Sequence, residues 1–96
     1  MAVGFVKLQP IPDQIFPFFV GDSSMDIQLK TMKGNTFISI IKNEVPIFSN
    51  IKCFTDQYAL PYEFNDVNFN FIWMSKHDTP YYTRFGKEDQ LMYVTW

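Results

Sequence analysis

Apolar and polar positions alternate in short stretches along this chain, and none keeps the three-to-four-residue spacing of a helix. Runs of β-branched and aromatic residues are broken roughly every ten residues by Gly, Pro, Asn or Asp. The clearest run is Met25-Asp26-Ile27-Gln28-Leu29-Lys30-Thr31-Met32, where alternation sets one face against a core and the other in water. Lys33-Gly34-Asn35 supplies turn residues, and Thr36 to Lys42 returns as the second arm of a hairpin. Asn43-Glu44 opens the next reversal, into a run from Val45 to Phe54 that carries Pro46 near its start.

Upstream, Val3 to Leu8 leads into Leu8-Gln9-Pro10-Ile11-Pro12, where two prolines impose an extended connection. Gln14 to Val20 contains Pro17, which lacks a ladder donor and marks an edge strand or a bulge. Gly21-Asp22-Ser23-Ser24 reads as a turn. Downstream, Ala59-Leu60-Pro61-Tyr62 reads as an extended loop pinned by apolar residues. Asn68 to Trp73 is the sixth strand, with Phe69, Phe71 and Trp73 on one core-facing side. After a polar loop from Ser75 to Pro80, the pattern predicts a short strand at Tyr81 to Phe85 and a last one at Gln90 to Trp96. Six to eight short strands at this spacing make the chain all-β, a small antiparallel β-sandwich or a partly open barrel. With no linker, repeat or low-complexity tract, residues 1–96 read as a single β domain.

Composition narrows the class of function. Apolar residues are 47% and charged residues 19%, which is globular rather than disordered. The net charge of −2 gives no basic excess for gripping phosphates and disfavours nucleic acid as a partner. Cys53 is the one cysteine, so neither an internal disulfide nor a cysteine metal cluster can form. No run approaches the roughly 18 apolar residues of a membrane helix, and Met1 to Lys7 lacks the pattern of a signal peptide. These signs favour a reducing cytoplasm, or an object assembled there. The unusual quantity is the aromatic content: 11 Phe, 5 Tyr and 2 Trp, or 19% of the chain. A domain of this size buries only about 60% of its unfolded surface, so some rings are expected outside, where they mark contact surfaces.

Candidate chemistry is thin. His77 beside Asp78 lacks a nucleophile at any meaningful spacing and reads as a loop histidine. Cys53, between Lys52 and Phe54 in a strand-like run, reads as a small buried hydrophobe. The carboxylate pairs Glu88-Asp89 and Glu63 with Asp66 fit neither a calcium loop nor a glycosidase site, and four scattered glycines make no phosphate cradle. No catalytic, cofactor or metal site is expected, and the chain does not read as an enzyme. Phe69, Phe71 and Trp73 could instead stack on bases or sugars if exposed, with Lys76 and Arg84 as the nearby cations. Tyr81, Tyr82 and Trp96 are the better candidates for surface rings.

The order of these pieces resembles the small baseplate plug proteins of contractile-tailed bacteriophages, first typified in a cyanophage. The resemblance runs through Phe5-Val6-Lys7-Leu8-Gln9-Pro10-Ile11-Pro12-Asp13-Gln14-Ile15-Phe16, then the alternating strand Met25 to Thr31 and the strand Thr36 to Ile41. It continues through Asn43-Glu44-Val45-Pro46-Ile47 and Leu60-Pro61 to the closing Leu91-Met92-Tyr93-Val94. It departs at Pro17 and in the ring-rich stretch from Tyr58 to Phe71. The resemblance implies a structural virion protein of the tail baseplate, a plug-like part packing with tail tube and hub or spike proteins near the channel. It implies a multi-copy assembly at low copy number, assembly in the host cytoplasm, and no membrane or cofactor. Pro10, Pro12, Phe16, Phe18, Tyr81, Tyr82 and Trp96 are the interface candidates on this reading. The rings alone leave a second reading open, a small β-sandwich that binds a glycan or peptide in host recognition.

Overall fold

The computed structural model describes residues 2–20, 23–60 and 69–95. Among the described residues there are seven strands: β1 Ala2–Val6, β2 Gln14–Val20, β3 Ser23–Met32, β4 Asn35–Lys42, β5 Val45–Lys52, β6 Phe69–Met74 and β7 Gln90–Thr95. They form two antiparallel sheets, one of four strands in the order β2-β3-β4-β5 and one of three in the order β1-β7-β6. No strand pairing joins the two sheets among the described residues, so of the two expected architectures, sandwich and partly open barrel, the sandwich is the one built.

The four-stranded sheet is a meander, and local turn chemistry writes it. Lys33 and Gly34 take φ values of 51° and 79°, and Asn43 and Glu44 take 53° and 65°. Left-handed backbone at both central residues is the geometry of the tight hairpin turn that matches strand twist. Gly34 accepts it freely, as the sequence pattern anticipated. The β4–β5 pairing slips between Ile38 and Ile41. There Asn50, at φ 50°, donates its backbone N–H to the Ser39 hydroxyl at 2.8 Å.

Alternation decides what lies between the sheets. Met25, Ile27 and Leu29 of β3 and Ile38 and Ile40 of β4 face inward, as do Phe69, Phe71 and Trp73 of β6 and Leu91 of β7; all are buried. Phe18 crosses the gap, its ring centroid 5.7 Å from that of Phe69, 5.1 Å from Phe71 and 5.4 Å from Tyr93. Tilted and edge-on rings at these distances suit the aromatic quadrupole. Trp73 stacks on Phe85 at 5.0 Å. Gly4 makes room for this packing: a Cβ there would lie 2.5 Å from the Tyr93 hydroxyl oxygen and would force that ring to shift.

Polar ties close the sandwich. The buried Thr36 hydroxyl donates to the Pro80 carbonyl at 2.9 Å, and Thr55 donates to the carbonyls of His77 and Asp78. The stretch expected as a strand at Tyr81 to Phe85 is instead a loop with a 3-10 turn, Tyr82–Arg84. The cause is Asp89, fully buried, whose carboxylate accepts from the Tyr81 N–H at 2.8 Å, from Arg84 Nε at 2.9 Å and from the Ser75 hydroxyl. A buried carboxylate must be surrounded by donors, and curling the chain around it supplies them. The turn at Gly21-Asp22 and the Pro61-Tyr62 part of the expected loop lie outside the described residues.

Candidate interaction surface

The sequence candidates fall into separate environments. Pro10 and Pro12 are exposed, yet their connection is held firmly. The Gln14 side chain donates to the Gln9 carbonyl at 2.8 Å, Asp13 accepts from the Thr31 N–H, and the Thr31 hydroxyl donates to the Pro12 carbonyl at 2.9 Å. Phe16 is half-buried against the core. Phe18 is 8% exposed and belongs to the core, so its ring is not on the surface as the interface assignment required. Period two explains this: Ile15, Pro17 and Phe19 take the outer face of β2, which leaves Phe16 and Phe18 the inner one. Tyr81 and Tyr82 are half-buried and pack together, centroids 4.7 Å apart, with the Arg84 guanidinium 6.0 Å from the Tyr81 ring. The hydrogen bond with Tyr82 is the main reason the Tyr81 phenol is held above its ordinary pKa, with Arg84 acting against it. Trp96 lies outside the described residues.

Of the groups weighed for catalysis, His77 and Glu88 come together in the loop, and Glu63 and Asp66 lie outside the described residues. Cys53 is fully buried, and burial pushes its thiol up to about 12, with the neighbouring Trp73 indole opposing the rise. It stays a thiol at neutral pH, and a thiol is no nucleophile. His77 lies in the exposed loop, its Nε2 3.7 Å from a Glu88 carboxylate oxygen. Asp89 already spends both oxygens on internal donors. Phe69, Phe71 and Trp73 are 2% exposed or less and present no stacking platform.

What the sequence pattern missed is a surface made by register. Fifteen rings lie among the described residues: six are buried, five half-buried, and Phe5, Phe19, Phe54 and Tyr58 are exposed. In the three-stranded sheet, Phe5 of β1 pairs with Met92 of β7, Met92 with Ile72 of β6, and Ile72 with Tyr58 beyond the edge of β6. These four side chains therefore form one apolar row across the outer face. Val3 and Met74, 56% and 44% exposed, extend it to either side. Beside it, Phe5, Met74, Ser75, Lys76, Glu88 and Gln90 line a shallow depression with a charged rim. Ile72 and Met92 in the middle of the row are half-buried while Phe5 and Tyr58 at its ends are exposed, and an apolar row with exposed rings at its ends suits a contact surface.

A family model described as cyanophage baseplate Pam3 plug gp18 matches residues 5–96. The chain belongs to this baseplate plug family. No curated protein matches it. For a baseplate plug, a virion structural protein of the phage tail, the geometry is coherent: a stiff two-sheet body and an apolar outer face. The matched region takes in both sheets and begins at Phe5, the first ring of the apolar row.

Proposed function

We propose that this chain is a non-enzymatic structural subunit of the tail baseplate, a single β domain seated against tail tube and hub or spike proteins near the channel. It is held there in several copies and is assembled in the host cytoplasm. The observation that carries the reading is the outer row Phe5–Met92–Ile72–Tyr58, apolar across the whole three-stranded sheet. A subunit that works by being packed needs apolar area to desolvate, and this face supplies it without a catalytic group. The exposed prolines of the clamped β1–β2 connection and the Tyr81–Tyr82 pair add rigid contact points that lose little entropy on docking.

Quantitative mass spectrometry of purified tailed particles tests the reading. The chain should be found at a fixed, low copy number relative to the tail tube protein. Particles that contain the tube and hub but lack this chain would overturn it. Cross-linking within the same particles should join the three-stranded sheet, through Lys76 or Lys7, to tube or hub peptides.

A further inference from the structure

A sheet edge offers unpaired backbone donors and acceptors, and proteins ordinarily blunt such edges with proline, charge, bulges or a covering segment. Three of the four edges here are treated in one of these ways. On the four-stranded sheet, β2 carries Pro17 in its middle, and β5 carries Pro46, a slipped register and Lys52. On the three-stranded sheet, β6 is covered by the segment before it: Asp56 and Ala59 donate their N–H groups to the carbonyls of Trp73 and Phe71 at 2.9 and 2.8 Å. Asn70 holds the Leu60 backbone on the same side, donating to its carbonyl and accepting from its N–H. The remaining edge is β1, Ala-Val-Gly-Phe-Val, with no proline, no charge and no bulge. No described residue outside β7 pairs with its backbone.

We propose that β1 is a strand-addition edge whose occupant is the β1 strand of a second copy of this chain. Antiparallel pairing needs two uncapped, uncharged edges, and each copy brings one. A twofold axis through Gly4 makes the contact isologous, with Val3 opposite Phe5 of the other copy and Phe5 opposite its Val3. Both residues lie on the outer face and are 56% and 58% exposed, so the pairing covers them. The two apolar rows then join, and two three-stranded sheets become one of six strands. Val3 and Phe5 in contact across the junction give the apolar cross-strand pair that stabilises sheets. Five residues per copy form a ribbon well below the ~800 Å² per partner of a stable interface. The association of the isolated chain is therefore weak and concentration-dependent, and it is strengthened when neighbours hold two copies side by side.

Sedimentation velocity of the purified chain from about 10 µM to about 1 mM, with amide hydrogen exchange at both ends of that range, tests this. The average mass should rise toward twice the monomer. Those β1 amides that point away from β7 should gain protection as concentration rises. Phe5→Lys should weaken association at least about tenfold while leaving the unfolding midpoint near that of the parent, since the ring is exposed; Val3→Lys should do the same. A mass that stays monomeric throughout overturns the proposal. So does an association that both variants leave unchanged, or one that leaves the outward β1 amides unprotected. The experiment uses no phage particle, so its result is independent of the test of the baseplate reading.

Discussion

The outer faces of the two sheets differ most at their central strands. In the four-stranded sheet, β3 turns Ser24, Asp26, Gln28 and Lys30 to water, and the exposed apolar residues Ile15 and Phe19 sit at its edge on either side of Pro17. In the three-stranded sheet, β7 turns Met92 outward between Phe5 and Ile72. Both sheets share one core, so the cost of folding does not distinguish them. Both leave apolar residues exposed, Ile15, Phe19, Val45 and Ile47 on the larger and Val3, Phe5 and Met74 on the smaller. What separates them is the central strand, polar on the outer side of β3 and apolar at Met92 of β7. The edges repeat the pattern, with proline on both edges of the larger sheet and a bare β1 on the smaller. On the proposed reading, folding and assembly use opposite sides of the same three strands.

Removing the inward side of that sheet should have the largest effect. Trp73→Ala deletes a ring that is 0% exposed and stacked on Phe85, and should cost about 3–5 kcal/mol in chemical denaturation. A change under about 0.5 kcal/mol would mean that the inner face of the smaller sheet does not carry stability. The Asp89 network comes next. Asp89→Asn leaves Arg84, whose side chain is 24% exposed, without its partner, and replaces an acceptor among three donors by a group that donates as well as accepts. A loss of about 3 kcal/mol is expected, accompanied by faster amide exchange through the loop between β6 and β7.

Cys53 gives a pH-dependent version of the same comparison. Its thiol titrates at 9.0 when unfolded and is pushed up to about 12 in the fold, mainly by burial. Between those values the native state binds more protons than the unfolded state, so this contribution is complete below about pH 9 and is lost as pH rises toward 12. By about pH 10.5 the loss should reach roughly 2 kcal/mol relative to neutral pH. Cys53→Ala should start less stable but fall less steeply over that window. Parallel curves for the two proteins would show that the sulfur is not sequestered as described. Slow alkylation of the native protein at neutral pH is the matching kinetic result.

Much of this architecture was legible in the chain because it is locally encoded. Gln14–Val20 was bounded correctly, and two of the three hairpins of the larger sheet, β3–β4 and β4–β5, follow from Lys33-Gly34 and Asn43-Glu44, residues that make their own turns. The inward side of β6 followed from the spacing of Phe69, Phe71 and Trp73. The failures have non-local causes. Tyr81 to Phe85 has strand-like residues but is curled by a carboxylate four positions beyond it. Phe18 is an interface candidate on the sequence and a core residue in the fold, because an edge strand still has an inner face and period two from the outward Pro17 puts Phe18 on it. The apolar row could not be seen at all, since Phe5, Tyr58, Ile72 and Met92 meet only through the pairing of distant segments.

The smallest expected change in stability makes the sharpest test of the two outer faces. Tyr58 and Met74, 48% and 44% exposed, belong to β6 or the segment beyond it and make no backbone pair with β1, so altering them leaves the proposed β1 ladder itself intact. Tyr58→Ser with Met74→Ser should shift stability by no more than about 0.5 kcal/mol each, and so should Gln28→Ala on the outer face of the larger sheet. In a phage supplied with mixtures of variant and parent chains, the serine pair should be under-represented in purified particles by about tenfold or more, a cost to docking of about 1.4 kcal/mol. Gln28→Ala should enter at the parental ratio, because a polar side chain that stays in water in both states contributes nothing to the difference between them. Equal incorporation of the serine pair would detach the apolar row from assembly. Exclusion of Gln28→Ala would instead move the contact to the outer face of the larger sheet, where Ile15 and Phe19 are exposed.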